Sequence, residues 1–163
     1  MTAQWRISWR ADPAGALLAD RHYSRRTVGA PQFVAPGRSL VLIRPDALWV
    51  TSWPYEAYTT HQWPGAWVCS AFRNEGPILS SELITGAVAA TLWRFGTPPD
   101  IGMVTFVDET KIRRKRDPGR CFRRAGFEPV GRTKDRDLLV LQLDPARMPT
   151  PLAPAGTDYE LVP

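Results

Sequence analysis

Apolar positions along this chain fall into two periods. "SLVLI" and "ALWVTSW", within residues 39–53, are near-continuous β-prone runs separated by "RPD", the signature of two buried strands joined as a hairpin. "AWVCSAF" (66–72) and "IGMVTFVD" (101–108) predict two further strands, the second ending at Asp108. "FEPVGRT" and "DLLVLQL" predict a closing pair around "KDRD". Between the third and fourth strands the period changes. Leu83, Ile84, Ala87, Val88, Thr91 and Leu92 recur at helical spacing, with Ser80 and Ser81 placed to cap the helix and Glu82 in its first turn. Gly96 and the pair Pro98-Pro99 stop it. A shorter helix is predicted over 14–25, with Leu17, Leu18 and Tyr23 partly buried. Another is predicted over about 118–125, with Gly126 as its stop.

The resulting order is helix, hairpin, strand, helix, strand, helix, strand pair. Antiparallel strands early and a strand-helix-strand unit in the middle predict an α/β domain with a mixed, mostly antiparallel twisted sheet flanked by helices. Residues 1–148 are expected to form this single domain, and the proline-rich residues 149–163 a mobile C-terminal tail.

Composition adds limits. A chain of 163 residues, 44% hydrophobic and 23% charged, is long enough for one well-buried core. No run of about 18 uncharged apolar residues predicts a membrane span, and "MTAQWRISWRADP" lacks the apolar stretch of a cleaved leader. Cys69 and Cys121 lack CxxC spacing and read as reduced thiols of a cytoplasmic protein.

Charge is concentrated. The net charge is +5, yet Lys111 to Arg124 alone holds eight bases against one acid, leaving the remainder slightly acidic. Such a tract points to a polyanion, either nucleic acid or a cofactor's phosphates, or else to a solvated face. It directly follows the strand that ends at Asp108. Lys111, Arg113, Arg114, Lys115, Arg116 and Arg120 are therefore candidate phosphate contacts that would hold a strand of DNA beside that carboxylate.

Asp108 lies where an open sheet places its ligand crevice. It is a candidate proton acceptor or hydrogen-bond acceptor for a ligand in that crevice, or else the cap of the next turn. His22 and Tyr23 are further catalytic candidates. The two histidines, His22 and His61, could join Asp108 as a two-histidine, one-carboxylate iron site, although no spacing demands it. In "YEAYTTHQWPGAW" Trp67 is expected in the core, while Tyr58 and Trp63 are candidates for an exposed aromatic platform, which would stack a base if the polyanion is nucleic acid.

Two stretches carry a resemblance. "RNEGPI" follows the third strand, and "FRRAGF" lies on the last helix. With the element order they resemble the GNAT acetyltransferase superfamily over roughly residues 14–143. That family holds the pyrophosphate of acetyl-CoA on a glycine-containing loop and the helix start behind it. The resemblance implies that Arg73, Asn74, Gly76, Ser80 and Ser81 bind acetyl-CoA or a related acyl donor, with Phe122 against its pantetheine arm. Phe122 stands where the family has a tyrosine acid, and Ile78 where it has a small residue.

"ADRHYSR", "TFVD" and "GRCFRRAGFEPVG" resemble more narrowly the Mom-type DNA-modification proteins of bacteriophages. These are GNAT-like proteins that convert adenine to an N6-carbamoylmethyl derivative. This resemblance implies a DNA-modifying transferase at work in a bacterial host's cytoplasm, with Asp108, His22 and Tyr23 in its site. Two alternatives stay open: an acyl-CoA-dependent N-acetyltransferase of a small amine or protein, and a GNAT-shaped binding module without catalysis. The oligomeric state, monomer or dimer, is not legible.

Overall fold

A computed structural model describes residues 5–22, 25, 27–30, 33–34, 37–54, 59, 61–111 and 117–156. Seven strands form one mixed sheet in the order β1-β2-β3-β4-β5-β7-β6. They are β1 (Arg6–Ile7), β2 (Arg38–Arg44), β3 (Ala47–Trp53), β4 (Trp67–Asn74), β5 (Met103–Val107), β6 (Glu128–Arg132) and β7 (Leu139–Leu143). Three helices accompany them: α1 (Pro13–Asp20), α2 (Ser80–Phe95) and α3 (Arg120–Arg124). Every described pairing is antiparallel except β4 with β5. That pair is parallel because α2 carries the chain back across the sheet between them, as a parallel neighbour requires.

The predicted hairpin forms in register, with Arg44 opposite Ala47 across the two-residue turn Pro45-Asp46. Alternation then sorts the side chains. On one face Trp49, Trp67, Met103, Leu141 and Leu143 meet Leu83, Ile84, Ala87 and Val88 of α2, all at most 1% exposed. Each such side chain removed from water contributes about 1.5–3 kcal/mol for the larger residues. On the other face Leu18 and Ala19 of α1 cover Val41, Ile43, Leu48 and Val50. A smaller cluster of Ala66, Val68, Val104 and Val140 lies beyond them.

Boundaries shift where local chemistry outweighs periodicity. Helix α1 starts at Pro13 because Asp12 caps it, its carboxylate accepting from the Ala14 N–H, and it ends at Asp20, short of the predicted 25. Leu17 faces solvent at 60% exposure. Ser80 and Ser81 occupy the first turn of α2, and the cap position falls to Leu79, whose side chain bonds no N–H. Two residues are too few for β1 to leave a readable pattern.

Residues 149–156, expected to begin a mobile tail, carry specific bonds. The Leu152 N–H donates to the Ala89 carbonyl, Ala155 N–H to Trp5 O at 2.8 Å, and Gly156 O accepts from Ile7 N–H at 2.7 Å. This segment thus crosses α2 and runs beside β1, satisfying backbone groups that an edge strand would otherwise leave to water. Among the described residues, no helix is long and apolar enough to cross a membrane.

Candidate functional site

Strands β4 and β5 separate after three pairs, Trp67–Met103, Val68–Val104 and Cys69–Thr105. Beyond that point β4 runs on to Asn74 and β5 to Val107 without pairing to each other. Because the strands are parallel, both carboxyl ends open on the same side, leaving a notch at the place where an open sheet takes its ligand. A bulge in β4 lies where it opens: Val50 faces Ala71 and Thr51 faces Cys69, so Ser70 is the extra residue. At the fork the Thr105 hydroxyl donates to the Cys69 carbonyl at 3.2 Å. Burial pushes the Cys69 thiol far up, and Cys121 of α3 lies near enough to add to that shift.

One lip of the notch follows β4. Arg73 and Arg21 both donate to Glu75, through their Nε atoms at 3.0 and 2.6 Å, and hold its carboxyl down at about 2. His22 sits just after α1, largely shielded from water. Loss of hydration, with the Arg73 charge beside it, lowers its pKa to about 4, so the ring is neutral at pH 7. Tyr23 lies outside the described residues.

The loop expected to hold a pyrophosphate has its groups engaged elsewhere. The Glu75 N–H donates to the Asp46 carbonyl at 2.7 Å and the Gly76 N–H to Asn74 Oδ1 at 3.0 Å. Pro77 has no N–H. The Asn74 amide donates to Ile78 O and to Ser80 Oγ. Gly76 leaves room for Asp46, since a Cβ there would overlap its carboxylate and push that side chain aside. A phosphate entering this loop would meet Glu75 and Asp46. The loop itself therefore does not fit a coenzyme A pyrophosphate. The first turn of α2 fits better: no side chain caps it, and the Ser80 and Ser81 N–H groups sit at the positive end of a 16-residue helix.

The other lip follows β5. Asp108 accepts two hydrogen bonds at Oδ1, from the Thr110 N–H at 3.0 Å and its hydroxyl at 2.6 Å. It thereby starts the short 3₁₀ turn Glu109–Lys111. The Thr110 hydroxyl, foremost, and the charges of Lys111 and Arg136 hold its carboxyl below the usual range. Arg136 belongs to the turn between β6 and β7, so a distant segment delivers a cation to the end of β5. Arg132 of β6 closes on Glu109 at 2.6 Å. Lys111 and Arg120 are exposed, as phosphate contacts must be. Arg113, Arg114, Lys115 and Arg116 lie outside the described residues.

Phe122 is a core residue, 8% exposed. Its ring packs at 6.3 Å from Trp49, 6.0 Å from Phe72 and 5.3 Å from Phe127. It offers little surface to a cofactor arm. His22 and His61 belong to different surroundings, the first beside Arg73 and the second against Phe106 of β5. Among the described residues no group of three His, Cys, Asp or Glu is placed to hold a metal ion, so His22, His61 and Asp108 do not form one. Trp67 is fully buried, as expected. Tyr58 lies outside the described residues.

Sequence reasoning missed Glu75, Asp46 and Arg136. The signal for Glu75 was its place between Arg73 and a glycine. Asp46 and Arg136 sit in hairpin turns, and only strand pairing shows what those turns face. Comparison with protein-family models, curated proteins and solved structures gave no match.

Proposed function

We propose that this chain is a GNAT-shaped transferase that modifies DNA bases in the manner of the Mom-type proteins, with adenine N6 as acceptor of a carbamoylmethyl group. The seven-stranded sheet supports the fold half of this reading as far as it is mixed and mostly antiparallel, which is what the resemblance implies. One observation carries the functional half: an ionised carboxylate, Asp108, stands at the notch with the cations Lys111 and Arg136 around it. Oδ1 is committed to Thr110, and Oδ2 has no partner among the described residues. An exocyclic amine can donate one N–H to Oδ2, which orients the nitrogen lone pair toward a donor carbon in the notch. As the C–N bond forms, the leaving group departs with the donor's electron pair and the amine sheds its proton toward Asp108. Phosphates on the flanking cations would hold the strand in place without reading its sequence.

A second reading, an acyl-CoA-dependent N-acyltransferase of a small amine, is favoured by the uncapped start of α2. Mass spectrometry of digested DNA from cells expressing the protein separates the two. A new modified adenosine, absent with Asp108→Asn, is the expected result. Unmodified nucleosides alongside acetylation of a small amine in vitro would replace the first reading with the second.

A further inference from the structure

The face of the sheet opposite α2 carries three partly exposed rings immediately before Asp108. Phe106 points to this face, since Val104 and Phe106 belong to the small cluster with Val68 and Val140, while Met103 and Val107 point to α2. The His61 ring lies 5.2 Å from Phe106, and Trp63 lies 6.3 Å from Phe106 in an edge contact. Trp63 also reaches β6, where a Cβ on Gly131 would touch its ring at 3.7 Å. The rings therefore form a ledge across β5, β7 and β6, ending two residues from the candidate carboxylate.

The ledge has a defined polar edge. The Trp63 backbone N–H donates to His61 Nδ1 at 3.0 Å. Nδ1 is therefore the acceptor nitrogen, and the proton of the neutral ring sits on Nε2, a donor with no partner among the described residues. Burial lowers the His61 pKa, which favours that neutral form. A flat apolar surface with one N–H donor at its rim suits a nucleobase, which has a π-face and ring-nitrogen acceptors. Lys111 and Arg136, whose charges reach Asp108, supply the positive charge that a phosphate-linked ligand needs. A platform built only to seal the small cluster would have no use for a fixed donor or a cationic border.

We propose that His61, Trp63 and Phe106 stack an unpaired nucleobase of a nucleic-acid strand whose phosphates lie on Lys111 and Arg136. The proposal rests on the DNA-modifying reading above and assigns that site its base-holding surface.

Fluorescence anisotropy tests it with a labelled short deoxyadenosine oligonucleotide and an abasic oligonucleotide of equal phosphate number. The base-bearing strand is expected to bind roughly 5- to 100-fold tighter, the effect of one stacked base. Trp63→Leu and His61→Ala, each checked by thermal melting, should remove most of that difference and leave abasic binding unchanged. Equal binding of the two strands by the wild-type protein overturns the stacking proposal while leaving DNA contact intact. Absence of binding to either overturns both. A difference that survives in both variants places the stacking elsewhere. Displacement of the base-bearing strand by coenzyme A would assign the ledge to a cofactor's adenine and overturn the proposal as well.

Discussion

Thr110 grips Asp108 twice at one oxygen, by its backbone N–H at 3.0 Å and its hydroxyl at 2.6 Å, and the second oxygen has no partner among the described residues. The same side chain thus serves as the cap of a turn and as an open acceptor. Asn is as good a cap as Asp, so Asp108→Asn should keep the turn and lose only the charge. The proposed adenine modification should fall about 100-fold or more, the usual contribution of a proton acceptor, with melting shifted by no more than a few degrees. Nucleoside mass spectrometry beside a thermal melt reads both. Full activity in Asp108→Asn would remove this residue from the site.

A buried polar chain links β3 to α2, and its proton order can be worked out. Thr91 Oγ donates to the Ala87 carbonyl at 2.8 Å, which uses its only proton. Thr51, 2.8 Å from Thr91, must then be the donor between them, and Thr51 in turn accepts from Trp49 Nε1 at 2.6 Å. Thr91→Val leaves the Thr51 hydroxyl without an acceptor in a dry core, at a cost of about 1–3 kcal/mol. Urea unfolding should place Thr91→Ser within a fraction of that, because serine restores the hydroxyl. If valine and serine variants are equally stable, the chain does not carry this stability.

How legible the molecule was depends on the range over which each feature is encoded. The strand pair around Pro45-Asp46 and the buried stripe of α2 are local, so alternation and 3.6-residue spacing reveal them directly. The position of Asp108 follows from one strand end. What the notch contains does not. Gly76 and Asn74 read as parts of a phosphate loop, yet Gly76 makes room for Asp46, thirty residues upstream, and Asn74 ties its own turn together. Phe122 reads as a cofactor contact because a motif places it there; three other rings claim it for the core.

The segment 149–156 offers a test of long-range encoding. Its composition says loop, but its backbone bonds Trp5, Ile7 and Ala89. Trp5 is 1% exposed, and its indole N–H donates to Leu83 O at 2.8 Å, so β1 and the segment together close one side of the core. Three hydrogen bonds at about 1 kcal/mol each correspond to a loss of roughly 6–12 °C for a chain of this size. A truncation ending at Met148 should therefore melt that much lower by circular dichroism. An unchanged midpoint would mean that the contacts contribute nothing.

His22 should give the protein a dependence on pH that Glu75 does not share. Its folded pKa of about 4 lies below the unfolded value of 6.5. Between those values the unfolded chain binds a proton that the folded chain refuses, so stability is full above pH 6.5 and declines as pH falls toward 4. The slope approaches about 1.4 kcal/mol per unit, and the whole effect is on the order of 3 kcal/mol. Glu75 has a folded pKa of about 2 against an ordinary 4.5, so its contribution is lost only below pH 4.5. His61 is lowered too, with the same sign. The decisive comparison is therefore the urea midpoint at pH 5 and pH 7 for the parent, His22→Gln and His61→Gln. His22→Gln should flatten most of the slope and His61→Gln only part of it. A parent-like slope in His22→Gln would show that the imidazole takes its proton in the folded state, and would remove the shielded neutral ring from the lip of the notch.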